Sequence, residues 1–229
     1  MDKKMFCFQC EQTVGCAGCT GNAGVCGKKA DTARLQDELT GALIGLARAV
    51  DSTTAISKRT GQVIIEGLFT TVTNVNFDDA ALEDLIKEIH GQKETEDYNM
   101  EALWNGNEDI RSLKSMILFG LRGMAAYAWH AAVLGYQDEE VNRFFCTGLA
   151  AVGSEQTMEQ LLPLVLKTGE VNLKCMELLD RANTETYGTP EPTEVGMNVE
   201  KGPFIVVSAT VFKRSNKRAT SDESIGFVV

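Results

Sequence analysis

"CFQCEQTVGCAGCTGNAGVCGK", residues Cys7–Lys28, holds five of the chain's seven cysteines together with five of its glycines. Thiolates bind soft or borderline metals, and a two-residue spacer lets both sulfurs of a C-x2-C pair converge on one ion or cluster. Two such pairs stand here, Cys7/Cys10 and Cys16/Cys19, with Cys26 beyond them. The glycines give the chain access to positive φ and bring backbone amides close to sulfur. Five thiols are one more than a tetrahedral ion or a cubane cluster needs. A zinc knuckle would use Cys7, Cys10, Cys16 and Cys19, but its five-residue inner spacer is far shorter than the ~12–20 of common zinc modules. An iron–sulfur cluster is the second reading. A set of free thiols is the third, and it would expose the protein to irreversible oxidation. Spacing and chemistry alone leave zinc and iron both open.

Outward from this knot, the 229 residues are 44% apolar, enough for a substantial core, and carry a net charge of -10. That charge disfavours a nucleic-acid backbone or an anionic membrane as partner. No basic patch with interleaved aromatics is present. "MDKKMFCFQC" lacks the apolar run of a signal peptide, and no stretch approaches the ~18 apolar residues of a membrane span. A cytoplasmic protein is expected, and in that reducing compartment clustered cysteines serve metal or redox chemistry.

After the knot the pattern is helical. Leu35, Leu39, Leu43, Leu46 and Val50 recur at helical spacing, so a helix is expected from Asp31 to Val50. Ile64, Leu68 and Val72 mark a second helix, and Leu82, Leu85, Ile86 and Ile89 a third, closed by Gly91 as C-cap. The polar stretch "GQKETEDYNMEALWNGN" is expected to separate these from a long helix between Asn107 and Gly135. Two more are expected over 138–152 and 154–182, the last interrupted at Pro163 and Gly169. Pro190 and Pro192 mark a linker, and "GPFIVVS", 202–208, reads as a buried parallel strand. The fold class is therefore mainly α, with a Cys-rich loop leading in and one strand leading out.

"MFCFQCEQT", "GCTGNAGVCGK", "LFGLRGMAAYAWHAAVLGY", "VNLKCMELLDRANTETYG" and "PEPTEV" together resemble the helical N-terminal domain of the hybrid cluster (prismane, hydroxylamine reductase) proteins. The likeness covers about residues 5–208. One branch of that family spaces its cluster ligands C-x2-C-x8-C-x5-C around a [4Fe-4S] cubane. Another uses C-x2-C-x11-C-x6-C with a [2Fe-2S] centre. Here Cys7-x2-Cys10-x8-Cys19 follows the first branch, and Cys19-x6-Cys26 is one residue longer. The resemblance thus implies Cys7, Cys10, Cys19 and Cys26 as ligands of a [4Fe-4S] cluster, a [2Fe-2S] centre being the second choice, and leaves Cys16 spare.

It also implies an organisation: a cluster-binding segment over 1–28 and a helical domain over 29–185, made of two three-helix bundles at about 29–92 and 107–185. A linker follows at 186–201, then the start of an α/β domain at 202–229. In the family two α/β domains hold a hybrid Fe-S-O cluster that reduces hydroxylamine to ammonia, or nitric oxide, with electrons entering through the conventional cluster from a redox donor protein. Where the family continues with a Gly-His-Asp stretch, this chain reads "SATVFKRSNKRATSDESIGFVV", as a frameshift or truncation would produce. The expectation is an electron-entry domain of an oxidoreductase, without hybrid cluster and inactive alone. A stand-alone electron-transfer module, or a zinc-binding structural module, is the alternative.

Other chemically notable residues read as structural. Cys146 and Cys175 sit among apolar helical residues as core thiols. His130 belongs to a helix face, His90 to a helix C-terminus that favours a cation, and "DEE" at 138–140 to a solvated helix start.

Overall fold

The computed structural model describes residues 5–10, 17–50, 56–72, 75–92 and 96–191. They form seven helices: α1 Ala30–Ala49, α2 Lys58–Thr70, α3 Asp79–Gln92, α4 Met100–Trp104, α5 Glu108–Val133, α6 Glu139–Val152 and α7 Met158–Tyr187. Among the described residues the fold is mainly α and contains no strand. Cys16, the linker beyond residue 191 and the strand expected at 202–208 lie outside the described residues.

Helix starts follow side-chain chemistry. Ser57 Oγ accepts from the Thr60 amide at 3.0 Å, Asn107 Oδ1 from the Asp109 and Ile110 amides, and Asp138 Oδ1 from the Val141 amide. Each satisfies donors that the first turn of a helix leaves unpaired. Thr157 and Gln160 cap each other's amides reciprocally, which moves the start of α7 from the expected residue 154 to Met158.

Three expectations need correction. Gly91 does not end α3, which runs on to Gln92, because its surface position leaves helical backbone unhindered. The stretch read as a polar spacer contains α4, whose Met100 and Leu103 are buried although too few to show a period. And α7 is continuous through Pro163 and Gly169. Both lie on its exposed side, so the ring can bend away from the packed face and water can satisfy the freed carbonyl.

The chain divides into two compact units, residues 1–179 and 180–229. Within the first, α1 packs on α2, α3, α4 and α6, and α5 packs on α2, α4 and α6. One apolar core results, built from the predicted stripe Leu35, Leu39, Leu43 and Leu46 with Ile64, Leu68, Leu82, Ile89, Ile117, Leu121, Phe145 and Leu149. Two glycines of α1 let an irregular segment lie against it: a Cβ on Gly41 would stand 2.3 Å from the Tyr98 carbonyl oxygen, and one on Gly45 2.6 Å from that of Glu96. The Tyr98 amide donates to Gly41 O at 3.0 Å across the contact. In the second unit the described residues are the last turns of α7, closed by Gly188 at φ 84, whose amide returns to Thr184 O at 2.8 Å.

Candidate metal centre

The described N-terminal segment, residues 5–10, is fastened to the helical body by its aromatics. Phe8 is buried, and Phe6 and Phe8 both pack on Trp104 of α4, with ring centroids 5.3 and 4.6 Å away. Such pairs contribute ~0.5–1.5 kcal/mol each beyond the area they bury. In extended backbone, alternate side chains point oppositely, so with Phe6 and Phe8 on the helices Cys7 is presented to the other side.

There the backbone of Cys7 pairs with that of Cys19 in an isolated antiparallel bridge: Cys7 N to Cys19 O at 3.1 Å and Cys19 N to Cys7 O at 2.7 Å. Gly18 makes the approach possible. Its φ is +63, and a Cβ there would lie 2.7 Å from the Cys7 carbonyl oxygen, so only glycine fits without strain. A second turn, at 24–28, is closed by Gly24 N to Lys28 O and Gly27 N to Gly24 O, both 2.8 Å, with Gly27 at φ 85. A Cβ on Gly24 would touch the Cys26 sulfur at 3.4 Å.

From that turn Lys28 returns into the protein, only 1% exposed. Its ammonium Nζ donates to Gln36 Oε1 at 2.5 Å, to Gln9 Oε1 at 3.1 Å and to Cys7 Sγ at 3.7 Å. Gln36, on α1, is itself fixed by Nε2 donating to Asn76 O at 2.9 Å. A second buried cation, Arg122 of α5, donates to Thr71 Oγ1 and Thr40 Oγ1, each at 3.1 Å. Burial lowers its pKa to about 10, against the opposing pull of Asp37 and Cys7. Burial likewise raises Asp37 to about 6, while Arg122, a hydrogen bond from Gln9 and Lys28 hold it down. The Cys7 thiol is pushed up by burial and pulled down by the Gln9 backbone N–H and by Lys28.

None of the four thiols expected as ligands forms a disulfide. Cys7, Cys10 and Cys19 are half-buried and Cys26 is exposed. The structure joins Cys7 to Cys19 through the bridge and brings the Cys26 turn onto Cys7 through Lys28. Cys10 stands three residues from Cys7 on the same segment. Among the described residues no three His, Cys, Asp or Glu side chains converge closely enough to hold a metal ion, so the fit to an iron–sulfur cluster rests on the chemistry of the donor set. That chemistry fits: soft thiols outside any disulfide, glycine turns, an amide N–H on sulfur, and buried cations whose charge a thiolate-bound anionic cluster complements.

The two helical thiols behave as predicted for the core. Cys146 and Cys175 are buried, and burial pushes both up to about 12. His130 packs edge-on against Phe69 at 5.6 Å, and His90, in the last turn of α3, pairs with Asp97 at 3.0 Å. Sequence reasoning misses Lys28 and Arg122; for Lys28 the available signal is its place directly after Cys26 and Gly27, the end of the cysteine-rich loop. No helix among the described residues is long and apolar enough to cross a membrane.

Comparison with known proteins gives this arrangement a lineage. The chain matches the Prismane/CO dehydrogenase family over residues 5–209. It is 40% identical over 232 residues to the hydroxylamine reductase of Chlorobaculum tepidum, covering 89% of this chain and 43% of that protein. It is 34% identical over 257 residues to the hydroxylamine reductase of Clostridium novyi, covering 97% of this chain and 47% of the relative. The chain therefore spans less than half the length of these relatives, and it belongs to the Prismane/CO dehydrogenase family.

Proposed function

We propose that this chain is the electron-entry domain of a hydroxylamine reductase, holding a [4Fe-4S] cluster through Cys7, Cys10, Cys19 and Cys26. The observation that carries the reading is Lys28: a fully buried ammonium whose neighbours are two neutral amide oxygens and a cysteine sulfur. A buried cation is costly unless negative charge lies near it; Asp37 supplies one such charge for both Lys28 and Arg122, and a cluster carrying four thiolates adds the rest beside the Cys7 sulfur. When bound, such a cluster takes up and releases one electron at a time. The chain's own part is to hold the thiols, shield Cys7 behind Phe6 and Phe8, and hold positive charge next to the ligand sulfur.

Reduction of hydroxylamine to ammonia and water consumes two electrons and two protons, so a one-electron carrier serves twice per turnover. The electrons come from a redox donor protein and leave toward a catalytic centre supplied by the part of the relatives that this chain does not span. Hydroxylamine, or nitric oxide, is the substrate of that complete enzyme, and this chain alone has no turnover.

The test is anaerobic purification with iron, acid-labile sulfide and zinc analysis of wild type, Cys16→Ser and Cys26→Ser, together with hydroxylamine consumption from a reduced dye. Iron and sulfide in wild type and Cys16→Ser, their loss in Cys26→Ser, and no hydroxylamine consumption are expected. Zinc without sulfide, or loss in Cys16→Ser with retention in Cys26→Ser, contradicts the ligand assignment. A robust rate contradicts the division of labour.

A further inference from the structure

Lys28 is an expensive way to fill space. An ammonium has three N–H donors and no acceptor. Here they meet Gln36 Oε1, Gln9 Oε1 and Cys7 Sγ, with the Phe77 ring 5.9 Å away. The two amide oxygens come from different segments, one on α1 and one on the cysteine segment, and Gln36 is anchored in turn on Asn76 O. The ammonium is thus held in place independently of Cys7, and its third donor is left for sulfur. Placing a fixed positive charge there has an electrostatic consequence that apolar packing would not have. Adding an electron to a cluster increases negative charge on its sulfurs, and a nearby cation in a poorly solvated site stabilises the reduced form more than the oxidised one.

Resting on the cluster reading above, we propose that Lys28 is a positioning and tuning residue: its N–H···S contact with Cys7 holds the reduction potential of the loop's cluster above that set by the thiolates alone. Gln36 and Gln9 serve as the bracket that aims it. Arg122, which also feels the Cys7 charge, supplies a second, more distant positive contribution on the α5 side. The acidic group facing both cations is Asp37.

The experiment is a redox titration followed by electron paramagnetic resonance on anaerobically prepared wild type, Lys28→Met, Lys28→Gln and Lys28→Arg, each with its iron and sulfide content measured. Both neutral variants shift to a lower midpoint potential, and Lys28→Arg, which keeps the charge, stays closer to wild type than either. Equal potentials in all four proteins at equal cluster content overturn the inference and leave the cluster reading standing. Absence of iron and sulfide from wild type removes the cluster reading and this inference with it. If the neutral variants do not fold, the contact is read in the wild type labelled with 15N at lysine Nζ. Pulsed electron paramagnetic resonance of the reduced cluster then shows coupling to one lysine nitrogen, and the lack of any such coupling overturns the proposal.

Discussion

At the scale of single residues, the buried polar groups beside Cys7 decide how the site responds to pH. Asp37 rises from its ordinary 3.8 to about 6 because burial disfavours its charge. A carboxyl whose folded pKa is raised stabilises the fold fully below its unfolded pKa, and that stability is lost as pH rises through the folded value. Wild type should therefore lose on the order of 2–3 kcal/mol relative to Asp37→Asn between about pH 4 and pH 6, and nothing further above. Urea denaturation of both proteins across that range measures it, and parallel curves contradict it. Cys146 and Cys175, raised to about 12 by burial, should resist iodoacetamide at pH 8 in the folded protein and alkylate once urea unfolds it, because the thiolate is the reactive form. Mass spectrometry of the labelled peptides reads the outcome, and labelling of either in native buffer refutes it. The core role of both cysteines was legible from their apolar neighbours. The role of Lys28 was not, because a lysine is ordinarily solvated and only the return of the 24–28 turn onto α1 shows where its ammonium goes.

At the scale of elements, the strong periods were readable and the short or irregular pieces were not. Leu35, Leu39, Leu43 and Leu46 placed α1 within one residue at either end, since a four-turn stripe has few alternative explanations. The five-residue α4 shows no such repeat, yet it supplies Trp104, on which Phe6 and Phe8 rest. The sequence predicts an interruption at Pro163, whereas α7 carries it on its exposed side near the helix start. The ring still removes one backbone hydrogen bond, so Pro163→Ala should stabilise the protein by about 1 kcal/mol, less than the ~3 kcal/mol of a buried interior proline. A rise in the thermal midpoint checks this, and a fall would mean that the proline shapes the packing of α7.

At the scale of the whole molecule, a protein with a net charge of -10 buries two cations, Lys28 and Arg122, within reach of one cysteine. Sequence showed the overall acidity and the crowding of thiols. It could not show that two basic residues, widely separated along the chain, turn inward at the same place, because that depends on where the 24–28 turn and α5 come to lie in the folded body. The chain belongs to the Prismane/CO dehydrogenase family and spans less than half the length of relatives named hydroxylamine reductase; the electron-carrying role is the proposal built on that membership and on the buried cations. The central claim is that the Cys7–Lys28 loop holds an iron–sulfur cluster, and its most direct measurement is the electron paramagnetic resonance spectrum of the anaerobically isolated, dithionite-reduced protein at known iron content. The account predicts a reduced-cluster signal integrating to one spin per about four iron atoms in each chain. A protein that carries zinc, gives no signal and contains no acid-labile sulfide would contradict it.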